Sequence, residues 1–209
     1  MNCGLTNLDR LKKHLLANSL AGETKWDQVI TDLGLAVAAL FDATINRDLA
    51  YQVNSEITFT GDRGHYVLPR YPIVSIASIQ MRYFDAEPWM DITGQPIRSN
   101  AATGIVYFGG VLGTEALQVK MVWTGGYWFE TLEPDDEGYP SAAPAGVAVL
   151  PNDLTGAFLF QCRAVWQLID KTGADILTSG KESQTSLQTM VLIPMVRQML
   201  NEYTRYQLS

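Results

Sequence analysis

Histidine and cysteine, the residues most often recruited for catalysis and metal binding, are scarce in this sequence: 2 of each in 209 residues. His14 and His65 have no second histidine, cysteine or carboxylate at ligand spacing, such as i, i+4 on a helix, so a metal site is not expected. Cys3 and Cys162 are isolated from each other, which suggests neither a disulfide framework nor a thiolate cluster, and both are expected to be buried or incidental thiols. Basic charge is also scarce. With 15 Lys and Arg against 22 Asp and Glu, the net charge is −7. That balance argues against a protein whose own task is to grip nucleic acid, because neutralising phosphates takes clustered Lys and Arg. The longest uninterrupted apolar run, Leu35 to Phe41, is far below the roughly 20 residues that cross a bilayer. The Met1 end lacks a basic-then-apolar pattern, so neither a membrane span nor a secretion signal is expected.

Sequence motifs for enzymes fail in turn. No Gly-x-Ser-x-Gly elbow is present, and neither cysteine sits in a protease-like setting. Ser179-Gly180-Lys181-Glu182 has the flavour of a phosphate loop, yet Asp175 stands where the first glycine is required and Glu182 replaces the Ser or Thr that holds magnesium. Gly61-Asp62-Arg63-Gly64 lacks the further glycines of a dinucleotide fingerprint and follows no parallel βαβ unit, so it is expected to be a hairpin turn. Glu133, Asp135, Asp136 and Glu137 match no calcium loop, and a solvated, self-repelling loop is the simpler expectation. Trp123, Tyr127, Trp128 and Phe129 could stack a base or sugar, but at a strand end they read better as a core plug or subunit contact. No cofactor is expected.

What the chain does have is apolar patterning. At 47% hydrophobic it can bury a core, and one domain spanning 1–209 is expected. Thr6 reads as the cap of a first helix at about 6–18, with Leu8, Leu11 and Leu15 on one face and Arg10, Lys12 and Lys13 outside. Thr24 opens a second at about 24–46, with Trp26, Val29, Ile30, Leu33, Val37, Leu40 and Phe41 at helical spacing. The period then changes to 2. Tyr51, Val53, Ile57 and Phe59 predict a half-buried strand, and Leu117, Val119, Met121 and Trp123 another, within a β region of about 50–127. Between them Leu68-Pro69-Arg70-Tyr71-Pro72 forms a stiff corner, since proline donates no amide hydrogen bond and extends the residue before it. The alternation after it slips phase, which predicts a bulge near Ala77 and Ser78.

Residues 130–152 are rich in proline and acid and read as a long loop. Asp153 caps a third helix, about 153–171, with Leu154, Phe158, Cys162, Val165, Leu168 and Ile169 on its apolar face. A polar connector, Lys171 to Thr189, leads to a last helix at about 194–207 that starts favourably at Pro194. The expected fold is α+β: a bundle of about four helices interrupted by an antiparallel β insertion.

This order of parts resembles the head-to-tail connector proteins of tailed bacteriophages, also called adaptor or head-completion proteins. The resemblance rests on Leu5-Thr6-Asn7-Leu8-Asp9-Arg10-Leu11-Lys12-Lys13-His14-Leu15, on Leu68-Pro69-Arg70-Tyr71-Pro72-Ile73-Val74-Ser75-Ile76, and on Trp123-Thr124-Gly125-Gly126-Tyr127 followed by Leu150-Pro151-Asn152-Asp153-Leu154. Trp123 replaces the family's usual tyrosine, and the acidic loop before Leu150 departs from its pattern. The resemblance implies a structural virion protein, not an enzyme, made in the host cytoplasm and located in the phage neck. It implies a dodecameric homo-oligomeric ring that binds the portal protein, meets a stopper or tail-completion protein, and extends the channel through which genomic DNA passes without sequence-specific binding. Candidate partner-binding residues are Arg197, Arg205 and Tyr206 toward the portal, with Asp135, Asp136, Glu137, Asp62 and Arg63 toward a neighbouring subunit or the next neck protein. Removal of Met199 to Ser209 is expected to leave a folded monomer that no longer joins portal rings. The alternatives are a tail-completion or stopper protein and, from another class, a carbohydrate-binding module or small enzyme using Trp123, Trp128 and nearby acids.

Overall fold

The computed structural model describes residues 3–16, 22–84, 87–94, 97–113, 115–129, 143–172 and 191–205. The chain is α+β and divides into two compact units. One is helical, Met1–Ile45 with Leu150–Thr204; the other, Asn46–Val149 with Arg205–Ser209, carries the strands.

Among the described residues four helices make the first unit: α1 (Leu8–Leu15), α2 (Asp27–Ile45), α3 (Asn152–Thr172) and α4 (Pro194–Asn201). Asn7, not Thr6, is the α1 cap, its side chain accepting from the Arg10 amide, while Thr6 is buried. Lys12, expected on the outer face, is buried as well. Its ammonium donates to Asp27 at 2.5 Å and to the Glu23 carbonyl at 2.6 Å, which ties α1 to the start of α2. Helix α2 starts three residues after Thr24, whose carbonyl accepts from the Asp27 amide. By length and composition α2 could cross a membrane, but Ile30, Leu33, Val37, Phe41 and Ile45 are buried and the helix packs on α1, α3 and α4, as the core helix of a globular unit does. The Cys3–Gly4 backbone lies so close to α2 that a Cβ on Gly34 would meet the Cys3 carbonyl oxygen at 2.4 Å. Phe41 and Phe158 meet edge to face at 6.0 Å in the core of this unit. Leu168, expected on the apolar face of α3, is exposed. Gln161 is buried and holds the strand-like lead into α4 from both sides, donating to the Val191 carbonyl and accepting from the Ile193 amide. Helix α4 begins at Pro194 and ends at Asn201, short of the expected 207.

The described residues of the second unit form two antiparallel sheets. Strands β1 (Gln52–Thr60), β7 (Gln118–Gly125), β3 (Ile73–Arg82) and β4 (Met90–Asp91) form the larger in the order β1-β7-β3-β4. Strands β2 (His65–Val67), β6 (Ile105–Tyr107) and β5 (Arg98–Asn100) form the smaller in the order β2-β6-β5. The predicted bulge is present: the β3–β7 register shifts between Ile76 and Ser78. The β1–β7 register also shifts, between Gln52 and Ser55, where Asn54 has a φ of 54°. The expected parity otherwise holds: Tyr51 and Ser55 are buried, Ile57 and Phe59 half-buried and the residues between them exposed, while Val53, beside the irregularity, is turned out to solvent. The Gly61–Gly64 segment is a turn but not a hairpin. It passes the chain from one sheet to the other, since β1 pairs with β7 and β2 with β6.

The corner at Leu68–Pro72 organises the unit. Its carbonyls from Pro69 to Pro72 each accept a hydrogen bond: Pro69 from the Asp48 amide, Arg70 from the Trp123 indole at 2.9 Å, Tyr71 from the Arg47 guanidinium and Pro72 from the Gly126 amide. Arg47 also stacks on the Tyr71 ring, 3.4 Å from its centroid, and is buried. Tyr71-Pro72 is a cis peptide. Leu68, Tyr71, Ile73, Ile79, Leu117, Val119, Met121 and Trp123 close the core around this corner. Trp123→Ala is expected to cost about 3–5 kcal/mol through the cavity it leaves, and Trp123→Phe less, through the unpaired Arg70 carbonyl. Urea denaturation of the full chain measures both losses.

Candidate interaction surface

The described residues include no cluster of three or more His, Cys, Asp or Glu able to hold a metal ion. Both thiols are buried, and burial pushes each above the ordinary thiol value, so neither is a ready nucleophile. His14 is half-buried, not on a solvated face. Its Nε2 is buried without a hydrogen-bond partner, and desolvation, with Arg163 and then Arg10 adding repulsion, holds its pKa below the ordinary value while the Leu159 carbonyl opposes them. Trp123 and Phe129 are core, and Tyr127 lies 5.4 Å from the Arg47 guanidinium, so the aromatic group reads as packing.

One concave site in the β unit gathers cationic side chains. It has a volume of about 240 Å³ and is lined by β1, by β2 and the turn between them, and by Arg205. Strand β1 contributes Ile57, Phe59 and Thr60, and the Phe59 ring stacks on Tyr66 at 3.6 Å to form an aromatic wall. Gly61 enters the turn because its amide must reach the Leu117 carbonyl at 2.7 Å, where a Cβ would strike the Leu117 side chain. The turn then projects Arg63 outward and aims its backbone amide at the Tyr66 hydroxyl. His65 and Arg205 complete the basic lining.

Two nitrogens of this lining lack hydrogen-bond partners. Arg205 Nε and His65 Nε2 are both buried atoms with no hydrogen bond. Burial lowers the pKa of Arg205, with the charges of Tyr71 and Asp48 pulling the other way. Asp48, however, is ion-paired with Arg70 at 3.0 Å, and Asp62 accepts from the Thr60 hydroxyl at 2.6 Å. Burial also raises the Tyr66 pKa, so its hydroxyl stays protonated. The site can therefore offer a guanidinium, an imidazole and a phenol to an anion.

Of the residues singled out in the sequence, the fold brings Arg63 and Arg205 together at this site, while Asp62, next to Arg63 in the turn, is not part of the lining. Arg197 is exposed on α4 in the helical unit. Asp135, Asp136, Glu137 and Tyr206 lie outside the described residues. His65 and Tyr66 had no signal in the sequence beyond their place after a turn, because what matters is the distant Arg205 beside them.

No protein-family model matches the sequence, and a search of curated proteins finds no match. Solved structures do match. A chain in the neck of an empty GTA particle computed with C6 symmetry aligns at TM-score 0.58 and 17% identity, over 98% of this chain and 92% of that one. A chain in the virion of a native gene transfer agent (GTA) particle aligns at TM-score 0.56 and 14% identity, over 98% and 92%. A chain in the neck of a native GTA particle computed with C12 symmetry aligns at TM-score 0.50 and 14% identity, over 100% and 94%. The chain has the fold of components of phage-like neck particles.

His14 supplies a pH test of the helical unit. Its pKa is lowered by folding, so the unfolded chain takes up the proton more readily. The stability it confers is present above its unfolded value of about 6.5 and is lost as pH falls below it. His14→Gln is expected to flatten the decline in denaturation midpoint below that pH.

Proposed function

We propose that this protein is a structural component of a phage-type neck, forming the adaptor ring that joins the portal vertex to stopper or tail parts and extends the DNA channel. The observation that carries this reading is the match of 98% of the chain to a chain of a GTA neck at TM-score 0.58. The full-length coverage matters, because a match over 98% of the chain takes in both the helical and the β unit. The C6 and C12 symmetries of the neighbouring particles support a ring of like subunits. In this reading the two units work as one connector, DNA passes without sequence-specific contact, and no catalytic residue or cofactor is needed.

The charge of the chain suits that role. Copies at −7 each make a ring that repels DNA, and with a Debye length of about 10 Å at 0.1 M salt only charges near the lumen act on the passing duplex. Helix α4 and the residues after it are proposed to face the portal, with exposed Arg197 as a contact. The structure alters how that is tested. Leu200 is fully buried, so removing Met199 to Ser209 would open the core of the helical unit and confound any binding result.

Negative-stain imaging of the purified protein, alone and with a portal, is expected to show rings of fixed diameter or ring-on-ring complexes. A monomer under every condition sinks the ring assignment. Arg197→Glu is expected to leave the melting temperature within about 2 °C and to weaken portal association about tenfold, read by co-sedimentation; unchanged association removes α4 from the portal face.

A further inference from the structure

We propose that the cavity lined by Arg63, His65, Tyr66 and Arg205 is the receiving half of a subunit contact, and that it takes the carboxylates of Glu133-Pro134-Asp135-Asp136-Glu137 from a second copy of this chain. A guanidinium whose Nε is buried without a partner is incomplete, since an unsatisfied charged donor carries the full cost of its desolvation. His65 Nε2 is incomplete in the same cavity. A carboxylate completes both, because guanidinium–carboxylate hydrogen bonds are charge-assisted and match in planar geometry. The nearby carboxylates are engaged elsewhere: Asp48 with Arg70, and Asp62 with Thr60.

The occupant follows from charge and from ring geometry. Four of the five residues 133–137 are acidic, the densest acidic run in the sequence. A closed ring of like subunits is built from heterologous contacts, in which each copy presents two different and complementary surfaces. A basic cavity and an acidic segment on one chain are such a pair. Duplex DNA is the weaker occupant, because the cavity is a recess on a chain of net charge −7 and offers no extended row of cations for a phosphate backbone. The proposal rests on the ring reading for its partner.

The test uses the full-length chain with its own acids neutralised, Glu133→Gln, Asp135→Asn, Asp136→Asn and Glu137→Gln, so that the cavity is free to accept a ligand in trans. Fluorescence anisotropy of a labelled peptide of residues 130–142 is expected to show saturable binding that weakens between 50 mM and 500 mM salt. Adding Arg63→Gln and Arg205→Gln is expected to weaken it about tenfold or more, and the all-amide peptide is expected not to bind. Shifts of the His65 and Tyr66 ring signals on titration place the peptide in the cavity even where the double arginine variant folds poorly. Absence of saturable binding, equal binding of the amide peptide, no change in those ring signals, or displacement of the peptide by an arbitrary DNA duplex overturns the proposal. Normal rings from a folded Arg63→Gln, Arg205→Gln chain also overturn it while leaving the ring assignment standing; a wild-type chain that forms no ring is instead a failure of that assignment.

Discussion

The β unit depends on finding a donor for each carbonyl of a corner that cannot join a ladder. Pro69 and Pro72 have no amide to donate, so the segment Pro69–Pro72 cannot be absorbed into a strand. Its carbonyls would be buried and unsatisfied without partners brought from elsewhere. Asp48, Arg47, Trp123 and Gly126 are those partners, and they come from the entry to the unit and from the end of its central strand. Satisfying the corner thus fixes where the chain enters the unit, where β7 ends, and how the Trp123 side chain is oriented. The apolar core then closes over a polar arrangement already set. This is why Trp123 serves better here than a purely hydrocarbon side chain: it fills volume and donates a hydrogen bond from the same position.

Much of this was legible in the sequence, and the misses have physical causes. The clean alternation of Leu117, Val119, Met121 and Trp123 survives as four buried residues of β7 and its approach, because a central strand is held on both edges. The bulge in β3 showed as a change of parity within one hydrophobic run. The irregularity in β1 did not, since Asn54 looks like any polar strand position until its left-handed backbone is seen. The expected hairpin at Gly61–Gly64 failed for a related reason. Turn chemistry shows that the chain reverses, whereas which strand it then pairs with is decided by non-local partners. Lys12 is the helical counterpart: its charge suggested solvent, and its burial depends on Asp27 and Glu23, which helical periodicity cannot bring near.

The candidate site was legible only in fragments. Arg63 and Asp62 stand out as turn residues and Arg205 as a C-terminal candidate for the portal contact, but nothing in a linear pattern joins them. The half that matters energetically, an arginine nitrogen buried without an acceptor, is a property of three-dimensional surroundings alone. Conversely, the acidic run at Glu133 to Glu137 is plain in the sequence and has no counterpart among the motifs of enzymes or calcium loops.

An acidic protein that assembles with copies of itself faces a specific electrostatic difficulty. Each added copy brings more negative charge, and self-repulsion grows with the assembly unless contacts between copies bring opposite charges together. Dispersing the 15 basic residues evenly would soften the repulsion without directing it. Placing two arginines and a histidine in one recess and four acids in one short segment does both, since complementary patches fix register and disfavour wrong orientations more than they add affinity. The rest of the chain still carries more Asp and Glu than Lys and Arg, which disfavours contact with DNA. Under the proposed ring assembly the low basic content of the chain suits the role: few cations suffice, provided that they are placed where one copy meets the next.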